Sequence, residues 1–260
     1  MRDKTALITG ASSGIGYEFA KLLAKECDVL VLVSRRQERL LDVKRELENS
    51  APVSVKIIVK DLSQPGAVED IYRELEREKI SVDVLINNAG VGHLGAFAGT
   101  DWRRDSDMIA INITALTLMT KLFVKGMVER KKGKIMNVAS TAAFQPGPLM
   151  SVYYASKAYV LSFSEAIAYE LQGTGVTVTA LCPGPTDTDF AKAADMEQSK
   201  LFRIKPPASA SNVARYGYDA MIKGKTVAIP GVINKITTFS VRISPRKLLP
   251  LIVSRLHEKV

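Results

Sequence analysis

The chain has 260 residues, 47% of them hydrophobic and 24% charged, which excludes intrinsic disorder and leaves room for one large core. The two cysteines, Cys27 and Cys182, and the two histidines, His93 and His257, are too few and too scattered for a disulfide framework or a zinc site, and no metal is expected. The net charge of +9 suits anionic partners, but no motif or aromatic interleaving supports nucleic-acid binding.

Taken in chain order, the elements alternate. "KTALIT" is a short β-prone run, too short for a signal-peptide core. Residues 15–26 turn helical, with Ile15, Phe19, Leu22 and Leu23 on one face. "DVLVLVS" (28–34) is a strand, 36–50 an amphipathic helix, 53–61 a strand, and Pro65-Gly66 opens a helix through residue 79. A strand at 82–90, a long helix over roughly 101–128, and a strand at 133–140 follow. The chain then gives a helix at 151–172, a strand at 175–184 that stops at Pro183-Gly184, and a last short strand at 225–231. No run reaches the ~18 apolar residues of a membrane span, so the expected location is cytoplasmic.

Unbroken apolar strands alternating with helices indicate a parallel sheet buried on both faces. The expectation is a single doubly wound α/β domain over residues 1–260, with its ligand site outside the carboxyl ends of the strands.

Each chemically suggestive stretch falls at such an end. "TGASSGIG" joins the first strand to the first helix. A helix N-terminus presents unpaired N–H groups and a partial positive charge, so it attracts phosphate where the backbone can approach. Gly10, Gly14 and Gly16 permit that approach, with Ser12, Ser13 and Ile15 completing the cradle. The second strand ends in Ser34 where an acidic residue would hold a ribose 2′-hydroxyl, and Arg35 and Arg36 follow. A guanidinium pairs with a 2′-phosphate, which favours NADP(H) over NAD(H), with Arg35 the main contact.

In "SVYYASKAYV", Tyr153 and Lys157 lie four apart and Tyr154 three from Lys157, so either phenol is within reach of the amine. A neighbouring ammonium favours phenolate and is expected to lower a tyrosine's pKa. Ser140 ends the preceding strand, and Asn112 is a polar group in an apolar helix, in need of a partner.

Together these motifs resemble the short-chain dehydrogenase/reductase family, with its Rossmann sheet, over residues 4 to about 190. The resemblance selects Tyr153 through Y-x-x-x-K and implies a tetrad of Asn112, Ser140, Tyr153 and Lys157. In it, Tyr153 moves a proton, Ser140 polarises the oxygen, Lys157 tunes the phenol and grips the ribose, and Asn112 supports a relay water. It also implies cofactor contacts from Asp61 and Leu62, from Asn88, Ala89 and Gly90 of "NNAG", and from Pro183, Gly184, Thr186 and Thr188. Asn87 resembles the residue that steadies the sheet edge beside the adenosine. The implied reaction interconverts a ketone or 3-oxoacyl group with a secondary alcohol. An NAD-dependent steroid or polyol dehydrogenase and a catalytically idle redox sensor are the alternatives.

Residues 186–210 hold apolar side chains and a Pro206-Pro207 break, and are expected to cover a hydrophobic substrate. His93, Gln145, Phe190 and Phe202 are the substrate candidates, with Phe97 at the same mouth. The tail from 232 to 260 mixes leucines with six basic residues against Glu258 alone, interrupted by Pro245 and Pro250. It reads as packing over the pocket or a subunit neighbour, as a peripheral membrane contact, or as a loose tail. A homodimer or homotetramer is the expected assembly.

Overall fold

The computed structural model describes residues 4–197, 199–201 and 206–258. Seven parallel strands form one sheet. They are β1 (Thr5–Thr9), β2 (Val29–Ser34), β3 (Ser54–Val59), β4 (Val84–Asn87), β5 (Gly133–Val138), β6 (Val176–Leu181) and β9 (Val227–Ala228), in spatial order β3-β2-β1-β4-β5-β6-β9. Successive side chains point to opposite faces, so each strand feeds two cores. Ala6, Ile8, Leu30, Leu32 and Ile86 face α1 (Gly14–Leu23), α2 (Gln37–Ser50) and α8 (Ala210–Ile222). Leu7, Val31, Val33, Leu85 and Ile135 face α3 (Ala67–Arg77) and α5 (Leu116–Glu129). This is the doubly wound α/β sheet read from the sequence.

The strand order reverses between β1 and β4, and that crevice brings the glycine loop against residues 88–90. Thr9 stitches the two together: its hydroxyl accepts from the backbone N–H of Asn88 and of Ala89, both at 3.0 Å, while Asn88 Nδ2 donates to the Thr9 carbonyl at 3.0 Å. Asn88, not Asn87, steadies this edge. Asn87 turns inward and donates to Thr120 Oγ1 and Asn137 Oδ1, because β4 places it on the buried face of the sheet.

The long helix is one continuous run with a defect. It comprises α4 (Trp102–Ile109), a π-helical turn (Ala110–Ala115) and α5. By length and mean hydropathy (1.5), Trp102–Glu129 could span a membrane, against the expectation that no stretch would qualify. Its packing makes it a core helix: Met119, Phe123 and Met127 are buried against the sheet, and Thr120 hydrogen-bonds within the fold.

Beyond β6, β7 (Thr186–Asp187) pairs with β8 (Ala208–Ser209), a two-residue ladder too short to leave a periodic signal. It brackets the covering segment, which contains α7 (Phe190–Ala193). The tail forms α9 (Val232–Ile243) and α10 (Leu249–His257). Pro250 does not interrupt α10 but lies in its first turn, where a missing N–H costs nothing.

Candidate active site

A cleft of about 650 Å³ opens at the carboxyl ends of the strands. One half is polar and runs from the glycine loop past Arg35, Arg36, Asp61 and Leu62 to Asn88, Ala89 and Gly90. The other half is more apolar and includes Met150, Tyr154, Phe190, Met196, Leu201 and Leu256. Ser140, Tyr153 and Lys157 line it too, as do Pro183, Gly184, Thr186 and Thr188.

The glycines serve the loop's own shape as much as any ligand. Gly10 and Gly14 have φ of +65° and +57°, the left-handed region that favours glycine. A Cβ at Gly14 would sit 2.9 Å from Thr188 Cγ2, and one at Gly16 would overlap Asn88 Nδ2 and the Gly10 carbonyl. Ser13, at the N-cap of α1, makes no side-chain capping bond, and no acidic residue occupies the first turn. The N–H groups there are left for an anion. Ser13 Oγ instead accepts from Arg36 Nη2 at 2.6 Å.

Arg36 does more than the sequence reading allowed it. Its guanidinium donates to Ser12 Oγ and Ser13 Oγ and pairs with Asp189 at 3.1 Å, spanning from the glycine loop to the covering segment. Arg35 reaches Asp61 at 3.6 Å. Burial works against ionisation of Asp61, yet hydrogen bonds from Ser63 and the Arg35 charge hold its carboxyl below the usual range. The donor set fits the phosphates of a dinucleotide: free helix N–H groups, serine hydroxyls and two guanidinium groups.

In the apolar half, α6 (Ser151–Glu170) carries Tyr153 and Lys157 one turn apart, and both line the cleft. Lys157 Nζ donates to the Val138 carbonyl at 2.8 Å and lies 5.8 Å from the Tyr153 ring centroid. Burial lowers the Lys157 pKa to about 8. The expectation of an acidified phenol is corrected here. Loss of water around Tyr153 pushes its pKa up to about 12, outweighing a hydrogen bond from Ser140 that acts the other way. Desolvation wins because the ammonium is spent on the Val138 carbonyl rather than on the phenol.

The choice between the two tyrosines is physical. Tyr154 Oη is held by His257 Nε2 at 3.0 Å, and the other ring nitrogen, Nδ1, lies 2.9 Å from the Pro148 carbonyl. Tyr153 keeps its hydroxyl beside Ser140. Asn112 is fully buried within the π-helical turn. Its amide clasps the Val91 backbone (N–H to Oδ1 at 3.0 Å, Nδ2 to carbonyl at 2.9 Å) and donates to Ser156 Oγ at 3.0 Å. It thereby ties the "NNAG" loop to α6. A Cβ on Gly90 would meet Lys157 Nζ at 3.2 Å and Asn112 Oδ1 at 3.3 Å, so the two side chains converge there.

Among the substrate candidates, His93, Gln145 and Phe190 line the cleft, and Phe190 sits 5.3 Å from Tyr153 between ring centroids. Phe202 lies outside the described residues. Phe97 is 66% exposed and borders only a small side recess. Burial and then the Arg104 charge keep the His93 imidazole below its ordinary pKa.

His257 was not singled out by the sequence, which offered Tyr154 as the rival phenol and the tail as one candidate cover for the pocket; Leu256 of that tail lines the cleft. His257 is 1% exposed and anchors α10 over the cleft from 103 positions away, a separation that leaves no local signal. Replacing His257 by Ala strands the buried Tyr154 hydroxyl, so stability is expected to fall by about 1–3 kcal/mol, read by thermal melting. Burial lowers the His257 pKa, so its contribution is full above the unfolded value near ~6.5 and is lost as pH falls through the folded value. Acid sensitivity in that window should shrink in His257→Ala; an unchanged melting profile would count against the anchor.

This sheet, with its crossover cleft and its Ser-Tyr-Lys cluster, defines a nucleotide-dependent oxidoreductase scaffold. The family model described as short chain dehydrogenase matches residues 4–199, and the chain belongs to that family. It is 36% identical over 201 residues to 17-beta-hydroxysteroid dehydrogenase type 3 of Mus musculus, covering 75% of this chain and 64% of that protein. It is 37% identical over 193 residues to very-long-chain 3-oxoacyl-CoA reductase of Anas platyrhynchos, covering 72% and 61%. The matched stretch thus spans under two thirds of each relative. Among solved structures, a short-chain dehydrogenase from Sphingobium yanoikuyae in complex with NADPH superposes with a TM-score of 0.82 at 29% identity, over 92% of this chain and 93% of that one.

Proposed function

We propose that the protein is an NADP(H)-dependent reductase that interconverts a lipophilic ketone or 3-oxoacyl group and its secondary alcohol. The observation that carries this reading is the single cleft that joins a cationic dinucleotide cradle to an apolar chamber holding Ser140, Tyr153 and Lys157. The bound nicotinamide supplies or accepts the hydride. The glycine loop, Arg35 and Arg36 would hold the dinucleotide's phosphates, and Lys157 would hold the nicotinamide ribose. Tyr153 Oη donates the proton to the substrate oxygen, and Ser140 Oγ polarises that oxygen. A phenol pushed up to about 12 stays protonated at neutral pH, which suits it to be the acid of a reduction. The hydroxysteroid and 3-oxoacyl-CoA specificities in the relatives' names agree with an apolar chamber.

A screen of ketones and 3-oxoacyl thioesters with each cofactor, followed by nicotinamide absorbance, tests the reaction. In that assay Arg35→Ala is expected to raise the KM for NADPH at least about tenfold and to leave NADH little changed, since a charge-assisted contact is worth roughly 1.5–3 kcal/mol. Equal use of both cofactors before and after the change would refute the preference.

A pH profile gives a second check. With the Lys157 pKa lowered to about 8, its ammonium is present below that pH and lost above it. The kcat/KM for reduction should therefore be level through neutrality and decline above about pH 8. A profile that stays level well beyond that point would remove Lys157 from the reaction.

A further inference from the structure

The last two helices carry an amphipathic pattern turned inside out. On α9 the residue buried against the fold is Thr238, and Asn234 beside it is spent on the Pro230 carbonyl at 2.7 Å. The outward stripe is Val232, Ile236, Phe239 and Ile243, with Ile233 alongside, and these five are between 57% and 75% exposed. A surface helix ordinarily does the reverse. Leu248 in the connecting turn and Leu251 and Ile252 on α10 continue the patch. Eight of the fourteen large apolar side chains exposed among the described residues thus fall between residues 232 and 252.

The rim of this patch is cationic. Lys235, Arg242, Arg246, Lys247 and Arg255 surround it, and none has a carboxylate within ion-pair distance among the described residues. Glu258, the one acidic residue from 232 to 258, is turned to Lys200 at 2.6 Å. Long basic side chains around an apolar face match a lipid interface, where the stems lie along acyl chains and the charges reach phosphate. A second copy of this chain fits less well. A two-fold contact on this patch would bring both sets of five cations together.

We propose that α9 and α10 form a docking surface for an anionic phospholipid bilayer. The inference rests on this surface alone and stands whatever the reaction. The opposite side of α10, with Val253 and His257, packs against the fold, so docking leaves the anchor of the pocket intact.

The full chain, incubated with phosphatidylcholine vesicles or with vesicles carrying about 30 mol % phosphatidylserine, should sediment only with the latter and be released near ~1 M salt. Arg246→Glu with Lys247→Glu should weaken binding about 30-fold or more, from roughly a fivefold loss per surface cation. Ile236→Ser, Phe239→Ser and Ile243→Ser together should abolish it. All five positions are exposed, so folding is checked by an unchanged melting temperature. Equal binding to neutral vesicles, no binding to either, or variants that bind like the parent would overturn the proposal. So would a dimer in light scattering that the triple serine variant dissolves while vesicles capture nothing.

Discussion

Tyr153→Phe is expected to lower kcat by about a thousandfold, within the 10²–10⁴ range for losing a positioned proton donor, and to leave NADP(H) affinity nearly unchanged. The substitution removes one oxygen. The ring contacts with Phe190 at 5.3 Å and with Tyr154 at 6.1 Å remain, so the cleft keeps its shape. The Ser140 hydroxyl loses one partner but still accepts from the Ala142 N–H at 3.1 Å. Tyr154 cannot substitute, because its hydroxyl is engaged by the buried His257. Tyr154→Phe should therefore act mainly on stability. Steady-state rates with both variants, alongside a direct cofactor titration, decide the matter. Turnover within about tenfold of the parent in Tyr153→Phe would assign the proton to another group.

The second large effect is expected at Gly16. A methyl group there overlaps the Gly10 carbonyl and Asn88 Nδ2, which themselves bond at 3.2 Å and cannot both give way. Gly16→Ala must wedge the glycine loop away from residues 88–90, across the crevice where β1 and β4 diverge. Overpacking of this kind costs about 1–3 kcal/mol of stability. Cofactor affinity should suffer more, at least about a hundredfold, because loop N–H groups moved by an ångström no longer converge on one anion. Gly99→Ala is the matched control, since a Cβ there meets nothing within 4 Å. Calorimetric titration with NADPH should separate the two, and a Gly16→Ala protein that binds like the parent would mean the loop yields more easily than its packing indicates.

What the sequence revealed, and what it hid, divides by distance along the chain. The strands were legible where they are apolar runs, as in "DVLVLVS", even though Lys56 and Lys134 interrupt β3 and β5, and the site because its motifs of fixed spacing gather at one edge of the sheet. Tyr153 and Lys157 share four residues of one helix, so their meeting is set by helix geometry. The clasp between Arg36 and Asp189 joins residues 153 apart, and the His257 anchor joins residues 103 apart. No local pattern encodes either. The sign of the Tyr153 shift was also beyond reach. Spacing shows that an amine is near, but only the packed structure shows that the amine donates to Val138 and that desolvation by the surrounding protein raises the phenol's pKa. The inverted face of α9 lay in between. Its apolar and basic residues were visible, and which side would be turned outward was not.

The widened turn at Ala110–Ala115 has a bearing on how this chain tolerates insertions and deletions. Such a turn amounts to one residue more than a regular helix needs, and everything beyond it is rotated by roughly 100°. That rotation lets the stretch before it look toward the cleft through Met108 while the stretch after it looks toward the sheet through Met119 and Phe123. Excising Thr114 would let the segment relax into an unbroken α-helix, yet would swing one of those two halves off its target. The segment is thus locally improvable only at the expense of Asn112 and the clasp it makes, and a shortened homologue should carry compensating changes on both sides of the cut.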